Sequence, residues 1–355
     1  MKINFIVPEI VRSGGIRVIF DFANRLTNKG HEVTLYTPVI PFNPFKPSIK
    51  FNVFKHQVNF LIKQFWGKPY MPKHIFPYCF KIKAVSAINN FFVDNADAII
   101  ATSWVSSHYV NKLAKSKGKK FYLIQDYEIW NSNVKLVDKS YTLPLNRIVI
   151  AKHLQYFFKE KFGVDSKVIR YGVNFDFFEN KNKTYNNKNK TLLFLDHLLE
   201  NKNAIAAIDT VKMVKQKYPD IIVKGFGIQR FHEIPGFVEF YENPDDVKIK
   251  ELYCNSDIYI YPTLFEGCPT TPVEAMACKC AVVANASAEI PYYIKNKETG
   301  ILANPLKKNE LFDGVCYLLE NEKELQKISE AGSRSVREIF NWDKSVNELE
   351  VLLKS

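Results

Sequence analysis

Asp257-Ile-Tyr-Ile-Tyr-Pro-Thr-Leu-Phe-Glu266-Gly-Cys-Pro-Thr-Thr-Pro-Val-Glu274-Ala-Met-Ala-Cys278 runs from a short apolar segment through a loop into a helical pattern. Ile258–Tyr261 is a β-prone run bounded by an acid and a proline, as expected of a buried parallel strand. Thr271, Pro272 and Glu274 have the spacing of N-cap, N1 and N3. This predicts a capping box, with proline where its missing N–H costs nothing. Such a box accounts for Glu274 and leaves Glu266 without a structural role. Glu266 falls at the C-terminal edge of the strand, where open α/β sheets bind ligands. A carboxylate followed by the backbone of Gly267, Cys268, Pro269, Thr270 and Thr271 suits a polyhydroxylated ligand, which needs an acceptor for its hydroxyls and donors for its oxygens. Pro269 has no N–H to give.

The alternation continues on both sides. Strands are expected at Lys2–Val7, Glu32–Tyr36, Ala98–Ala101, Lys120–Ile124, Asn146–Ile150 and Ser166–Ile169. A second series runs through Leu192–Leu195, Ile221–Lys224, Phe237–Phe240, Ile258–Tyr261 and Ala281–Ala284. Helical patterns lie between them, including Ile16–Lys29, which Gly30 closes. This is the α/β class with parallel sheets. The 355 residues suit two domains. The reading divides them into a basic Rossmann-like domain over 1–170, a second Rossmann-like domain over 171–335, and a C-terminal helix over 336–355 that packs back on the first. Glu179–Lys190 is polar and of low complexity, so an exposed loop is expected there.

No apolar run approaches the length of a membrane-spanning helix. The apolar start is a strand rather than a signal peptide, and the six cysteines lack zinc spacing. The expected location is the cytoplasm. Net charge is +12 and unevenly spread: residues 1–170 hold 26 basic and 10 acidic side chains, and 171–355 hold 23 and 27. Val33–Val93 has eight lysines, no acid and interleaved aromatics. A lysine and aromatic surface suits an anionic membrane, with nucleic acid as the alternative and a solvated face as the bland reading.

Three further features carry possible chemistry. Gly14-Gly15 lies between a strand and a helix, where amides and the helix N-terminus favour an anion. It is not the dinucleotide fingerprint, and no acid follows at the spacing a nicotinamide ribose needs. His197 and Lys202 follow the strand Leu192–Leu195, and a lysine before a helix suits a diphosphate without a metal. Asp126, Tyr127 and Glu128 lie on a loop after a strand of the basic domain and suit acceptor hydroxyls.

With these residues in hand, the second half resembles the nucleotide-sugar-binding domain of retaining family-4 glycosyltransferases of GT-B fold (glycosyl transferases group 1). The likeness rests on FEGCPTTPVEAMAC, Ile169-Arg-Tyr-Gly-Val-Asn174, Val223-Lys-Gly-Phe-Gly227, Asp257–Pro262 and Thr299-Gly300-Ile-Leu, and it runs over residues 168–340. It implies two Rossmann-like domains facing a cleft. It implies a hexosyltransferase that needs a nucleotide-diphosphate sugar as donor, with no cofactor and no metal. By position, Glu266 and the amides after it resemble the group that holds donor-sugar hydroxyls. Glu274 resembles the ribose-binding Glu, Lys202 the lysine of an Arg-x4-Lys diphosphate clamp, and Gly15 the phosphate-side glycine. His197 stands where that arginine would be, and Arg230 is a possible substitute. Gln125-Asp-Tyr-Glu128 resembles rhamnosyltransferases of surface-polysaccharide synthesis, which implies dTDP-rhamnose as donor and a glycan or lipid-linked acceptor. The expectation is that folding gathers the glycine bend, the ammonium and the acidic pair around one pyrophosphate. The alternatives are a sugar-nucleotide epimerase on the same fold and a non-enzymatic membrane- or nucleic-acid-binding protein. Intact Gly14-Gly15, Lys202, Glu266 and Glu274 count against the second of these, and His197 counts for it.

Overall fold

The computed structural model describes residues 1–11, 13–39, 77–129, 133–307 and 309–355. The chain forms two compact units, Met1–Tyr171 with Asp343–Ser355, and Gly172–Trp342.

In the first unit, β1 (Lys2–Ile6), β2 (Glu32–Pro38), β3 (Lys81–Val85), β4 (Ala98–Ala101), β5 (Lys119–Ile124), β6 (Asn146–Val149) and β7 (Lys167–Val168) form a parallel sheet among the described residues. Its order is β3-β2-β1-β4-β5-β6-β7. In the second, β8 (Thr191–Leu195), β9 (Ile222–Gly227), β10 (Val238–Glu242), β11 (Ile258–Tyr261), β12 (Ala281–Asn285) and β13 (Ile301–Ala303) are ordered β10-β9-β8-β11-β12-β13, again all parallel. Helices cover both faces, so the central strands are apolar throughout. Ile3, Phe5 and Ile6 of β1 are buried, as are Leu192, Leu193 and Phe194 of β8. Leu192, Phe194, Ile258, Ile260 and Val283 join Ala207, Val211, Leu318 and Leu325 of the flanking helices in one core. The strand order reverses between β1 and β4, and between β8 and β11. Loops leaving the C-terminal ends of those strands diverge and leave a crevice in each unit.

Two strands have no counterpart in the sequence reading. β3 is an edge strand whose Lys81 and Lys83 interrupt its apolar residues, and β13 has only three residues. Most of the basic stretch, 40–76, lies outside the described residues. Its described lysines are not a bare cationic face: Lys81 pairs with Glu32 at 3.0 Å, and Lys83 pairs with Asp94. Of its described aromatics, Phe80 is buried and Tyr78 and Phe80 pack on Phe20, whereas Phe91 and Phe92 are exposed.

The polar stretch 179–190 is a loop with most of its residues exposed, as its composition predicts, but it carries two buried anchors. Tyr185 is buried, with its hydroxyl 2.5 Å from Ser329 Oγ. Lys183 is buried too, 4.0 Å from the carboxylate of Asp257. Two long side chains anchor the segment despite its asparagine-rich composition. Residues 336–339 end the helix Glu322–Ile339, and a separate helix Trp342–Lys354 follows. Gly172 packs so closely on Trp342 that a Cβ would lie 2.3 Å from its ring. No helix among the described residues is long and apolar enough to cross a membrane.

Candidate functional site

In the second unit, β8 ends at Leu195. A short turn, Glu200–Lys202, leads through Asn203 in the left-handed region (φ 53°) into the helix Ala204–Lys217. This turn holds Lys202 in front of the helix. Its Nζ lies 2.5 Å from Glu266 Oε1, and Tyr261 donates its hydroxyl to the other carboxylate oxygen. The β8 loop and the β11 loop are stitched together by asparagines. Asn201 accepts from the Leu264 N–H at 2.8 Å and donates to the Phe265 carbonyl at 2.6 Å. Asn203 and Asn285 both donate to the Pro262 carbonyl, at 3.3 and 2.5 Å. Lys202 and Glu266, 64 residues apart, are thus brought together at the reversal point of the sheet. An ammonium carries three donors and Glu266 takes one, so the pair can serve a phosphate and a sugar hydroxyl side by side.

His197 lies in the same corner. Its Nδ1 accepts the Leu199 N–H at 3.0 Å. Burial first, and then the Lys202 ammonium, pull its pKa below 6.5, against the Glu266 and Asp196 carboxylates. The ring is therefore neutral at pH 7 and adds no permanent charge where a guanidinium is expected. The Arg230 guanidinium lies over the Phe240 ring, 5.3 Å from its centroid.

Sequence reading passed over Asp196 and His232. Asp196 is fully buried; its carboxylate lies 2.6 Å from His232 Nδ1 and accepts the Phe231 N–H at 2.7 Å. The His197 and Phe231 rings lie 6.3 Å apart, so this dyad borders the lysine corner. An acid directly after a strand was the available signal; no local pattern marks His232.

The helix after Glu266 spans Thr270–Ala277, two residues earlier than a Thr271 cap requires. Pro269 is the N-cap, extended at φ −73° and ψ 131°, and supplies no side-chain acceptor. The expected capping box is therefore absent. Thr271 is N2, Pro272 is N3 and Glu274 is the fifth helical residue. Proline at N3 is tolerated because the first four N–H groups have no intrahelical partner. Glu274 is half-buried, and its charge acts on the buried phenols of Tyr253 and Tyr259. It lies in the second turn of this helix, near its positive end. Gly267, Cys268, Thr270 and Thr271 form the chain between the two acids.

In the first unit, Gly14 and Gly15 are the first two residues of the helix Gly14–Asn28 rather than a turn before it. Ser13 caps them by accepting the Ile16 N–H at 3.3 Å. A Cβ on Gly14 would meet nothing within 4 Å, so this helix end is open to an approaching anion. Gln125 donates to the Gly15 carbonyl at 3.2 Å and so ties the loop after β5 to the helix start. On that loop, Asp126 accepts the Tyr127 N–H at 2.7 Å. Tyr127 is buried, donating to Asp138 at 2.7 Å, with the Lys161 ammonium 4.1 Å from its ring centroid. Glu128 accepts the Trp104 N–H at 3.0 Å. Burial, helped by Asp126 and opposed by that N–H, pushes the Glu128 pKa up to about 8.

Residues 176–335 match the family described as glycosyl transferases group 1. The second unit is similar to that family over nearly all of its length. Among curated proteins, an uncharacterized glycosyltransferase of Haemophilus influenzae is 28% identical over 184 residues, 49% of this chain and 51% of that protein. Another, from Methanocaldococcus jannaschii, is 26% identical over 262 residues, 69% and 63% of the two chains. The matches thus span less than two thirds of either relative. In three dimensions, Anabaena HepE, solved in complex with UDP-glucose, superimposes with a TM-score of 0.73 at 14% identity. That match covers 100% of this chain and 99% of HepE. The fold is GT-B, with two Rossmann-like parallel-sheet units.

Proposed function

We propose that the protein is a retaining family-4 glycosyltransferase that moves a hexose from a nucleotide-diphosphate sugar to a glycan or lipid-linked acceptor. The observation that carries this reading is the Lys202–Glu266 pair, at 2.5 Å, at the reversal point of a group 1 sheet. Lys202 binds the departing diphosphate, Glu266 holds sugar hydroxyls, and Glu274 binds the ribose. The backbone from Gly267 to Thr271 supplies N–H donors, Pro269 excepted. Transfer through an oxocarbenium-like state needs charge stabilisation at the leaving phosphate more than a strong base. Lys202 meets that need without a metal. The attacking hydroxyl passes its proton to the leaving phosphate oxygen on the same face, so the anomeric configuration is kept.

The neutral His197 gives the phosphates less charge than an arginine would. Asp126 and Glu128 are the acceptor-side groups of the first unit; the committed hydroxyl of Tyr127 gives that residue a positioning role. The Gln125–Glu128 turn supports rhamnose, from dTDP-rhamnose, as the sugar. The basic first half supports contact with an anionic membrane at its inner face.

A panel of nucleotide sugars, assayed for released nucleoside diphosphate and labelled product, tests this reading. One donor should be consumed only with acceptor and give product of unchanged anomeric configuration. Lys202→Ala should lower transfer by about 10²–10³-fold with the fold intact. Isomerised sugar formed without acceptor would instead identify an epimerase.

A further inference from the structure

The connection between β3 and β4 carries two aromatic side chains that the proposed transfer does not use. Phe91 is 86% exposed and Phe92 37% exposed, and their rings meet edge to face with centroids 4.9 Å apart. Phenylalanine is a residue of interiors, so an exposed pair at the tip of a turn asks for a partner. The turn holds both rings outward. Asn89 Oδ1 accepts the N–H groups of Phe91 and Phe92 at 3.0 and 3.1 Å, and the Asn89 carbonyl accepts the Val93 N–H at 3.1 Å. Val93 is buried and anchors the far end of the turn. A tip ordered in advance loses little entropy when it is covered.

A lysine-rich loop lies beside it. Asn90 Oδ1 accepts the Ala114 N–H at 2.7 Å, and Lys117 donates to Asn95 Oδ1 at 2.9 Å. Gly118 permits this close approach, because a Cβ there would lie 2.7 Å from the backbone of Asp97 and Ala98. The two turns therefore form one surface at the N-terminal ends of β4 and β5. Gly14, Gly15 and Asp126 follow the C-terminal ends of β1 and β5, at the opposite edge of the same parallel sheet. Residues 81–120 hold seven lysines and two acids. Both acids are engaged: Asp94 pairs with Lys83, and Asp97 accepts the Lys2 N–H at 2.7 Å. Lys112, Lys115 and Lys119 are exposed and pair with no acid among the described residues.

We propose that Phe91 and Phe92 form a wedge that enters an anionic bilayer, with Lys112, Lys115 and Lys119 against its acidic headgroups. The inference rests on the membrane contact proposed above and gives that contact a place on the molecule. Aromatic rings settle at the boundary between headgroups and acyl chains, and lysines beside them are drawn to acidic lipid. Either signal alone gives weak, reversible attachment; here the two share one preformed surface. Two rings offer too little area for a stable protein interface, whereas a bilayer needs only a few inserted groups and charge.

The test is sedimentation of the full chain with vesicles, in the absence of any nucleotide sugar. Wild type should bind vesicles of equimolar phosphatidylglycerol and phosphatidylcholine and ignore vesicles of phosphatidylcholine alone. Replacing both rings, Phe91→Ser with Phe92→Ser, should weaken binding about tenfold or more. Each of Lys112→Gln, Lys115→Gln and Lys119→Gln should weaken it about fivefold. All these variants should keep the wild-type melting midpoint and the wild-type response to nucleoside diphosphates, because the altered side chains are exposed and lie at the other edge of the sheet. Vesicle binding that the Phe91→Ser, Phe92→Ser variant retains in full would overturn the wedge and leave the membrane contact to another surface. Wild type that ignores acidic vesicles, whether or not it binds a single-stranded oligonucleotide, would overturn the wedge and the membrane contact together.

Discussion

Glu128 is a carboxyl held where its charged form is penalised. Its folded pKa of about 8 lies above the usual 4.5, so the folded chain binds this proton more tightly than the unfolded chain. Stability therefore falls as pH rises from about 4.5 to about 8. Glu128→Gln keeps the shape and an acceptor for the Trp104 N–H. Its melting temperature should match wild type near pH 5 and exceed it near pH 9; an offset equal at both would refute the assignment. The same logic of burial shows which side chains the sequence disclosed. Glu266 and Lys202 were legible because each lies just after a strand with no structural task. Asp196, His232 and Tyr261 were not, because their roles depend on partners in other elements. Glu274 was assigned to a cap because threonine, proline and glutamate fit one, yet the helix capped by Pro269 starts two residues sooner.

Most strands and helices were readable from apolar runs broken by turn residues. The exceptions share a cause. β3 carries lysines because it is an edge with one wet face, and β13 is too short to show a period. The stretch 179–190 is the loop its composition predicts, but composition does not reveal that Lys183 and Tyr185 have buried partners. Gly172 is a sharper case, since only the fold explains why no side chain is allowed there. With a Cβ 2.3 Å from the Trp342 ring and 2.5 Å from its backbone N, Gly172→Ala forces the chain apart. The cost expected for such overpacking is about 1–3 kcal/mol, read as a lower urea midpoint at unchanged slope. A midpoint equal to wild type would mean that the contact relaxes freely.

The paired parallel sheets follow from the repeating strand–helix pattern, whereas the return of the last helix to the first unit needs contacts far apart in sequence. Glu350 makes that return, pairing with Lys29 at 2.5 Å and with Lys354 on its own helix at 2.5 Å. Lys29 and Lys354 lower its pKa to about 2. A depressed carboxyl stabilises above its usual pKa of 4.5, and that stabilisation is lost as pH falls toward about 2. Glu350→Gln should thus speed amide exchange in Trp342–Lys354 at neutral pH and make no difference by about pH 2; a gap that persists in acid would rule out this pair.

The donor reading rests on Lys202, Glu266 and Glu274 serving one nucleotide. Thermal melting of the whole protein with a series of nucleoside diphosphates measures this directly. A nucleotide that binds, present at about 100 times its dissociation constant, should add about 2.7 kcal/mol to wild type. Lys202→Ala and Glu274→Gln should each lose most of that gain while melting as wild type does without nucleotide. If no nucleoside diphosphate raises the wild-type midpoint, or if both variants respond as fully as wild type, the donor site is not where these residues meet.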